Sequence, residues 1–338
     1  MKKVNIIDVA QLAGVSVSTV SLVLRQKGKI SEATIEKVNA AIKQLGYVHN
    51  VAAANLRSST SNLIGLIIRD FNDSFCVNVM ASVVHYLEKQ GYMVFLGHPQ
   101  DDTQQLQQCL TSFTQQGVAG VIYLDANHRL ASIPSLISEC SLPTVIIAES
   151  TVSSHRDVIG RDNRQAGNQA TRYLIDRGHR NIAYLGGTAA NLMREERLLG
   201  YRNALAQYDL PFREEWSPVC ENDTEAAARL TRQLLEKNSK ITAMLCHSPS
   251  AIIGCLNGIA QVGRTVGKDV FLTQQVSLIG FEDMMNINLT SPRFTYVSAS
   301  SEEAGRQAAT LIVNKIKEPT LPSQKIIISG ELVQRESA

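Results

Sequence analysis

Two aliphatic and two hydroxyl side chains near the start of the chain recur at the spacing of one helix face. In SVSTVSLVL, residues 16–24, helical periodicity puts these four on one face: Val17, Ser18, Ser21 and Leu22. A serine hydroxyl can bond a phosphate or a base edge, and an aliphatic side chain can pack against the methyl group of thymine. Aliphatic side chains such as Val17 and Leu22 are uncommon on a helix face that meets only water. The pattern therefore favours a helix that lies in the major groove of DNA. A helix pair packed against another protein element is the alternative.

A helix, a bend and a second helix position these side chains. Asn5 can cap a first helix over residues 7–13, and Gly14 ends that helix. Ser16 can cap the second helix, which carries the four side chains. Six aliphatic residues are expected to close a small core between the two helices: Val9, Leu12, Val15, Val20, Val23 and Leu24.

A third helix and a linker complete the N-terminal region. The helix follows a cap at Ser31 and stops at Gly46, with apolar residues at helical spacing: Ile35, Val38, Ile42 and Leu45. Residues 1–48 are therefore predicted to form one small helical domain. Residues 49–61 are predicted to be a hinge and linker, with a brief helical possibility at residues 51–57.

The basic charge of the chain is concentrated in this region. Residues 1–60 carry 8 basic and 3 acidic side chains, a net charge of +5, whereas the remaining residues carry a net charge of −3. A basic head on a mildly acidic body is typical of a protein that binds a polyanion at one end. A chance cluster of basic residues is the alternative on charge alone.

Length and composition indicate a soluble globular protein of about two domains with a small extra module. The 338 residues are 44% hydrophobic and 19% charged, and no apolar run approaches the roughly 18 residues that a membrane span needs. The start MKKVNIIDVA lacks the apolar stretch of a secretory signal, so we expect a cytoplasmic, nucleoid-associated protein with no membrane partner. The six cysteines form no C-x-x-C pair, so we expect reduced packing residues and neither a metal nor a cofactor.

From residue 62 onward, apolar strands alternate with amphipathic helices. The predicted strands cover residues 62–68, 93–97, 120–124, 144–148, 181–187, 242–246, 276–281 and 325–332. The predicted helices cover residues 74–90, 101–116, 163–178, 194–208, 223–238, 249–262 and 301–317. Strands that are apolar throughout are typical of buried parallel sheets, so the pattern predicts an α/β body with more than one wound sheet.

Several motifs of the chain resemble the LacI/GalR family of bacterial transcription regulators. The head motif is DVAQLAGVSVSTVSLVL, followed by ISEATIEKVNAAIKQLGY. The resemblance continues through DFNDSF, VIGRDNRQAGNQATRYLIDRGHRNIAYLGG, REERLLGYRNAL and SLIGFED, and it covers essentially the whole chain. It implies an all-α helix-turn-helix head on a two-lobed α/β body, like a periplasmic binding protein, with two doubly wound parallel sheets. The expected N-lobe comprises about residues 62–161 and 292–322, and the expected C-lobe about residues 162–291 and 323–338.

The resemblance implies a homodimeric repressor of sugar-metabolism genes that binds a palindromic operator in double-stranded DNA. Val17, Ser18 and Leu22 match the base-reading positions, and Leu22 stands where arginine is common, so the operator is expected to differ there. Leu56 in the hinge matches a residue that wedges into a minor-groove step. Further side chains match positions on or near phosphate: Asn5, Ser16, Thr19, Ser21, Ser31 and Thr34. Because no heptad segment follows the body, assembly is expected to stop at two subunits.

The resemblance also implies a cleft for a sugar-like effector between the lobes. Arg197 matches the arginine that clamps a ligand, and Glu282 matches an acidic residue at a strand end. Phe75 matches an aromatic that stacks on a ring, and Glu149 lies at or beside another strand-end acid. Ser248, followed by proline, stands where many members have Asn-Asp, so the ligand is expected to differ from the commonest sugars or to act weakly. Alternatively, Arg197 is a surface arginine and Phe75 is plain core.

Two other functional classes fit the sequence less well. An enzyme is disfavoured because the chain has no G-x-G-x-x-G, Walker, G-x-S-x-G or H-E-x-x-H motif. A transport binding protein would account for the body alone, but it would need an export signal and would leave the basic head unexplained.

Overall fold

The chain divides into two units, residues 1–61 and residues 62–338. A computed structural model describes residues 4–24, 28–47, 61–71, 73–100, 102–125, 134–148, 155–282 and 291–338. The predicted hinge over residues 49–61, except Ser61, therefore lies outside the described residues.

The described part of the first unit contains three short helices: α1 (Ile6–Ala13), α2 (Val17–Leu24) and α3 (Glu32–Leu45). Gly14 follows α1 with a φ of 67°, a left-handed conformation that glycine adopts without strain. The chain bends by 104° between α1 and α2, within the range of helix-turn-helix pairs. Of the helices in the described residues, none is by itself long and apolar enough to cross a membrane, and α1 with α2 would pass only as a bent pair.

A small aliphatic core joins the three helices. Its buried members come from each of them: Val9, Ala10, Val20, Val38 and Ala41. Val15, Val23 and Leu24 pack against this core, as the spacing predicts. Leu12 was expected in the core, and that prediction is wrong, because the inner face of α1 is set by Val9, Ala10 and Ala13. The side chain of Leu12 is instead 44% exposed.

Strands and helices alternate along the second unit. The strands are β1 (Leu63–Ile68), β2 (Met93–Gly97), β3 (Gly120–Asp125), β4 (Thr144–Ala148), β5 (Asp157–Arg161), β6 (Ile182–Leu185), β7 (Ala243–Cys246), β8 (Thr265–Val266), β9 (Gln275–Phe281), β10 (Thr295–Ala299), β11 (Lys325–Ile328) and β12 (Gly330–Val333). The α-helices are α4 (Ser74–Lys89), α5 (Thr103–Gln115), α6 (Ser135–Ser138), α7 (Asn163–Asp176), α8 (Leu192–Gln207), α9 (Thr224–Lys237), α10 (Pro249–Gln261) and α11 (Ser301–Lys317). A 3₁₀ turn covers Glu214–Trp216.

Two sheets divide these strands into two lobes. The first sheet has the order β11-β5-β4-β3-β1-β2, and all its described pairings are parallel. The second sheet has the order β12-β10-β9-β7-β6, with β12 antiparallel to β10 and the other pairings parallel. The buried apolar residues form separate cores within the two lobes. The predicted fold class, a helical head with a two-lobed α/β body, is confirmed.

The lobe boundaries differ from the prediction in the last part of the chain. Residues 325–332, expected as one strand, form two strands that belong to different sheets. β11 pairs with β5 in the first sheet, and β12 pairs with β10 in the second, because the chain crosses between the lobes at Ser329. β10 was expected in the N-lobe and β11 in the C-lobe, so both placements are wrong. β5 and β10 were not predicted as strands, since each contains only a short apolar run, VIG in β5 and YV in β10.

Candidate DNA-contact surface and effector cleft

The outer face of α2 carries the residues predicted to read bases. Val17 is 38% exposed and Leu22 is 39% exposed, while Val20 on the opposite face is fully buried. Ser18 is exposed and Ser21 is half-buried. The tip of Leu22 also lies close to Gly28, within 4 Å of where a Cβ would stand. α2 therefore presents two aliphatic side chains and two hydroxyls on one accessible surface.

Hydroxyl groups cluster at the start of α2. The Oγ of Ser16 accepts a hydrogen bond from the backbone N–H of Thr19 at 3.1 Å, which caps the helix as predicted. The same Oγ lies 2.7 Å from the hydroxyl of Ser18 and 2.8 Å from that of Thr19. These bonds fix three hydroxyls beside the N-terminal end of α2, where backbone N–H groups favour anions.

The other predicted phosphate contacts are placed near helix starts. The Oδ1 of Asn5 accepts from the backbone N–H groups of Ile7 and Asp8 at 2.8 and 3.2 Å, so this side chain caps α1. Ser31 stands at the start of α3, where its hydroxyl lies 2.9 Å from that of Thr34 and makes no capping bond. Leu56, predicted to wedge into DNA, lies outside the described residues.

A cavity of about 570 Å³ opens between the lobes, where the carboxyl ends of strands from both sheets meet. Its lining is mostly polar: Arg69, Asp70, Asp73, Gln100, Arg161, Gly187, Thr188, Asn191, Met193, Arg197, Cys220, Glu221, Asn222, Asp223, His247, Ser248, Pro249 and Glu282. The structure thus brings together Arg197, Ser248 and Glu282 of the predicted effector residues. Glu149 lies outside the described residues.

Four of the polar lining residues cap helices that begin at the cavity. Each accepts hydrogen bonds from backbone N–H groups at the start of its helix: Asp73 at α4, Asn191 at α8, Asp223 at α9 and Ser248 at α10. For Ser248, the bond to its Oγ comes from the N–H of Ala251 at 3.3 Å, and Pro249 occupies the first position of α10. The Ser-Pro departure noted in the sequence therefore builds a helix start beside the cavity.

Arg197 is buried, and three of its acceptors belong to the described residues. Its Nε donates to Oδ1 of Asn163 at 3.0 Å, its Nη1 to the carbonyl oxygen of His247 at 2.9 Å, and its Nη2 to Oε1 of Glu282 at 3.1 Å. Its guanidinium carbon also lies 4.4 Å from the ring centre of Phe281. The surface alternative for Arg197 is wrong, because the side chain is 2% exposed.

Glu282 is the acceptor shared by two arginines. Its Oε1 also accepts from Nη1 of Arg161, and its Oε2 accepts from the hydroxyl of Ser298 at 3.2 Å. Glu282 has a φ of 88°, a left-handed conformation that costs a residue other than glycine roughly 1–3 kcal/mol. Such strain persists where surrounding contacts hold the residue in place, and it is common at functional sites.

Phe75 does not line the cavity. The guanidinium of Arg161 lies over its ring, 4.0 Å from the centre, and the side chain is 4% exposed. The ring packs under Arg161, which itself faces the cavity, and the stacking of Phe75 on a ligand ring stays a prediction. Sequence reasoning missed Arg161 because it ends β5, a strand that was not predicted. The signal was present in a charged residue that directly follows the apolar run VIG.

His247 reaches the cavity from the end of β7. Its Nδ1 lies 2.8 Å from the hydroxyl of Tyr184 in the second lobe. Burial raises the pKa of Tyr184 well above its ordinary value, so that hydroxyl keeps its proton and can donate to His247. The ring orientation of His247 is thereby fixed, and its carbonyl oxygen is held toward Arg197.

Comparisons with known proteins cover both units. The family model described as "Bacterial regulatory proteins, lacI family" matches residues 5–50, and the model for "Periplasmic binding proteins and sugar binding domain of LacI family" matches residues 61–336. The maltose regulon regulatory protein MalI of Escherichia coli (strain K12) is 38% identical over 335 residues, 98% of each chain. The repressor PurR of Actinobacillus pleuropneumoniae serotype 3 (strain JL03) is 28% identical over 98% of this chain and 97% of PurR. A Lac repressor dimer bound to operator and the anti-inducer ONPF superimposes with a TM-score of 0.83 at 21% identity, covering 99% of each chain.

Proposed function

Because the chain belongs to the LacI family of bacterial regulatory proteins, we infer that it is a dimeric, DNA-binding transcriptional repressor. Its relatives are regulators of transcription and not enzymes. A DNA-binding regulator works in the cytoplasm, and operator binding would bring this one to the nucleoid. The observation that carries the proposal is the accessible face of α2 within the matched head region.

Base reading is assigned to three side chains of α2. Val17, Ser18 and Leu22 are accessible together on one face, and the hydroxyls of Ser16 and Thr19 are held beside the start of the same helix. Aliphatic groups suit thymine methyls, and hydroxyls suit phosphates or base edges. The 38% identical relative is named for the maltose regulon, so sugar-metabolism genes of that type are the first candidates for control.

Selection of random duplexes by the full chain tests the repressor proposal. We expect the wild-type protein to enrich a near-palindrome with two half-sites about one helical turn apart. Replacing Val17, Ser18 and Leu22 together by alanine should abolish that preference and leave weak, sequence-independent binding. Leu12→Ala is the matched control, since Leu12 is a similarly exposed aliphatic of α1, and it should leave the preference unchanged. Equal enrichment by the triple variant would contradict the assignment of α2.

The cavity between the lobes is assigned to a sugar-like effector. Its volume lies within the roughly 300–1,000 Å³ of small-molecule sites, and its hydrogen-bonding lining suits a polyhydroxylated ligand. The match to a sugar-binding domain supports the same class. A ligand that binds the folded chain raises its melting temperature, so thermal unfolding with maltose, ribose, cellobiose and glucose tests the assignment. Because Ser248 stands where many members have Asn-Asp, a shift with these four is expected only at millimolar concentration, and no shift with them or with less common sugars would argue against the assignment.

Dimer contacts are assigned in part to β2. Among the described strands, β2 is the edge of the first sheet and pairs with β1 alone. It exposes three large apolar side chains: Met93, Phe95 and Leu96. An exposed apolar edge strand is a ready surface for a second chain, and the family acts as dimers.

A further inference from the structure

We propose that Arg161 is a positioning residue that binds Glu282 across the cleft and holds the two lobes together without a small molecule. Operator binding by this chain then needs no corepressor. The inference rests on the repressor function proposed above, because operator affinity is its readout.

The bond between Arg161 and Glu282 joins the two lobes directly. Arg161 ends β5 in the first sheet, and Glu282 follows β9 in the second. Nη1 of Arg161 donates to Oε1 of Glu282, the same oxygen that accepts from Arg197 on α8. Nη2 of Arg161 also lies 3.4 Å from the sulfur of Met193, again on α8. Among the described residues, one side chain of the first lobe thus has at least two contacts in the second.

Arg161 is anchored firmly within its own lobe. Its strand pairs on both sides, with β4 and with β11. Its guanidinium stacks on the ring of Phe75, which belongs to the buried core of the first lobe. A movement of the first lobe would therefore carry this guanidinium with it and would part it from Glu282.

Glu282 is held in place by its partners. Arg161, Arg197 and Ser298 bind its two carboxylate oxygens, while its backbone stays in a left-handed conformation that a glutamate does not prefer. The side chains of Arg161, Arg197 and Glu282 are 5%, 2% and 13% exposed, so their attraction acts in a poorly screened environment. Opening the lobes would return the charges to water, which offsets part of the attraction. We therefore expect loss of this bond to change the equilibrium constant between closed and open lobes about tenfold, a usual size for coupling between sites.

The same cluster occupies groups that the family resemblance assigns to the ligand. Arg197 already binds Asn163, the carbonyl of His247 and Glu282. The protein's own carboxylate thus bridges Arg161 and Arg197 at the floor of the cavity. A small molecule that engaged Arg197 or Glu282 would have to disrupt this bridge, so an effector of this chain is expected to release DNA.

Operator affinity of the full chain, dialysed free of small molecules and checked by mass spectrometry, tests the proposal. Arg161→Met keeps an unbranched stem over Phe75 and removes the charge, and Glu282→Gln keeps the shape of the carboxylate. Each is expected to weaken operator binding about tenfold. The double variant should bind about as weakly as Glu282→Gln alone, because removing the Glu282 carboxylate already removes the bond to Arg161. Arg161→Lys keeps the charge and should recover part of the affinity.

Lys315→Met is the matched control. Lys315 lies 3.3 Å from Asp157, so this variant breaks an ion pair of the same strand β5, but one that lies entirely within the first lobe. It should lower the melting temperature and leave operator affinity unchanged at a temperature where all variants are folded by circular dichroism. A loss caused by general destabilisation would appear in Lys315→Met as well.

Three results would overturn the inference. Operator binding of Arg161→Met and Glu282→Gln at wild-type strength would show that the bridge does not matter. Purely additive effects in the double variant would show that the two residues act separately. A wild-type protein that bound its operator only after addition of a sugar would show that a corepressor is needed, while the repressor function would stand. Failure of the wild-type chain to select any duplex would instead contradict the repressor function itself.

Discussion

At the scale of single residues, Val17 and Leu22 are the side chains that we propose limit which groups the head can read. Both side chains are more than one-third exposed and carry no hydrogen-bonding atom. Their contribution to recognition is therefore limited to contact with apolar groups of the DNA. In the major groove the exposed apolar group is the C5-methyl of thymine. We expect replacement of dT by dU at one or two positions per half-site to cost about 0.8 kcal/mol each, roughly fourfold in affinity.

Fluorescence anisotropy with duplexes that carry single dU substitutions measures this loss. The Leu22→Ala variant is the control, because it should lose sensitivity to dU at the position that Leu22 contacts and keep it elsewhere. Indistinguishable affinities of the wild-type protein for dT and dU operators would refute methyl recognition while leaving other DNA contacts intact.

His179 links the stability of the body to pH. His179 is 1% exposed, and burial, followed by the charges of Arg177 and Arg180, lowers its pKa from 6.5 to about 4. Since the pKa is lower in the folded than in the unfolded chain, the neutral ring stabilises the fold above pH 6.5, and this contribution is lost as the pH falls toward 4. Denaturant unfolding should show a loss of up to about 3 kcal/mol over that window. His179→Gln should flatten the dependence, and parallel curves for the wild type and His179→Gln would contradict the assignment.

At the scale of elements, two glycines let α7 and α8 approach closely enough to place Arg197. A Cβ on Gly167 would lie 2.1 Å from the carbonyl oxygen of Arg197, and a Cβ on Gly200 would lie 2.1 Å from that of Arg164. Because both neighbours are backbone atoms, an alanine would force the helices apart. Gly167→Ala should reduce the free energy of unfolding by about 1–3 kcal/mol, measured by denaturant titration. Ala206→Ser, on the exposed face of α8, should change it by less than about 0.5 kcal/mol, and an equal effect of both variants would contradict the close-packing argument.

The strands and helices also show which parts of the fold could be predicted from the sequence alone. Long apolar strands and amphipathic helices were predictable, because a continuous apolar run marks each strand and helical spacing of apolar residues marks each helix. β5 and β10 were not predictable, because their apolar runs are short. The buried ends of β5, Asp157 and Arg161, are charged and pair with partners distant in sequence. The crossing at Ser329 was equally hidden, since the sequence predicted one strand over residues 325–332 and only strand pairing separates β11 from β12.

The candidate site was predictable to a similar, partial extent. The outer face of α2 follows from helical spacing, whereas the cleft residues were assigned by family resemblance. Arg197 and Glu282 were placed correctly at the cavity, but the bond between them and the role of Arg161 depend on how two lobes meet. The contact of the Phe75 ring with Arg161 was hidden for the same reason, because no local pattern encodes it.

At the scale of the whole molecule, operator affinity depends on two heads acting together. A dimer that places two half-site readers on one operator gains roughly 100-fold or more over a monomer, because the second contact becomes intramolecular. We expect the double variant Met93→Glu with Leu96→Glu to disrupt the apolar edge of β2, to sediment as a monomer at micromolar concentration, and to lose operator affinity by that factor. Ile327→Glu, at an exposed aliphatic of β11 on the opposite edge of the same sheet, should remain dimeric and retain full affinity. Sedimentation of the β2 variant as a stable dimer would show that β2 is not in the dimer interface. Two added carboxylates per chain could not be buried against the same carboxylates of the second chain without cationic partners.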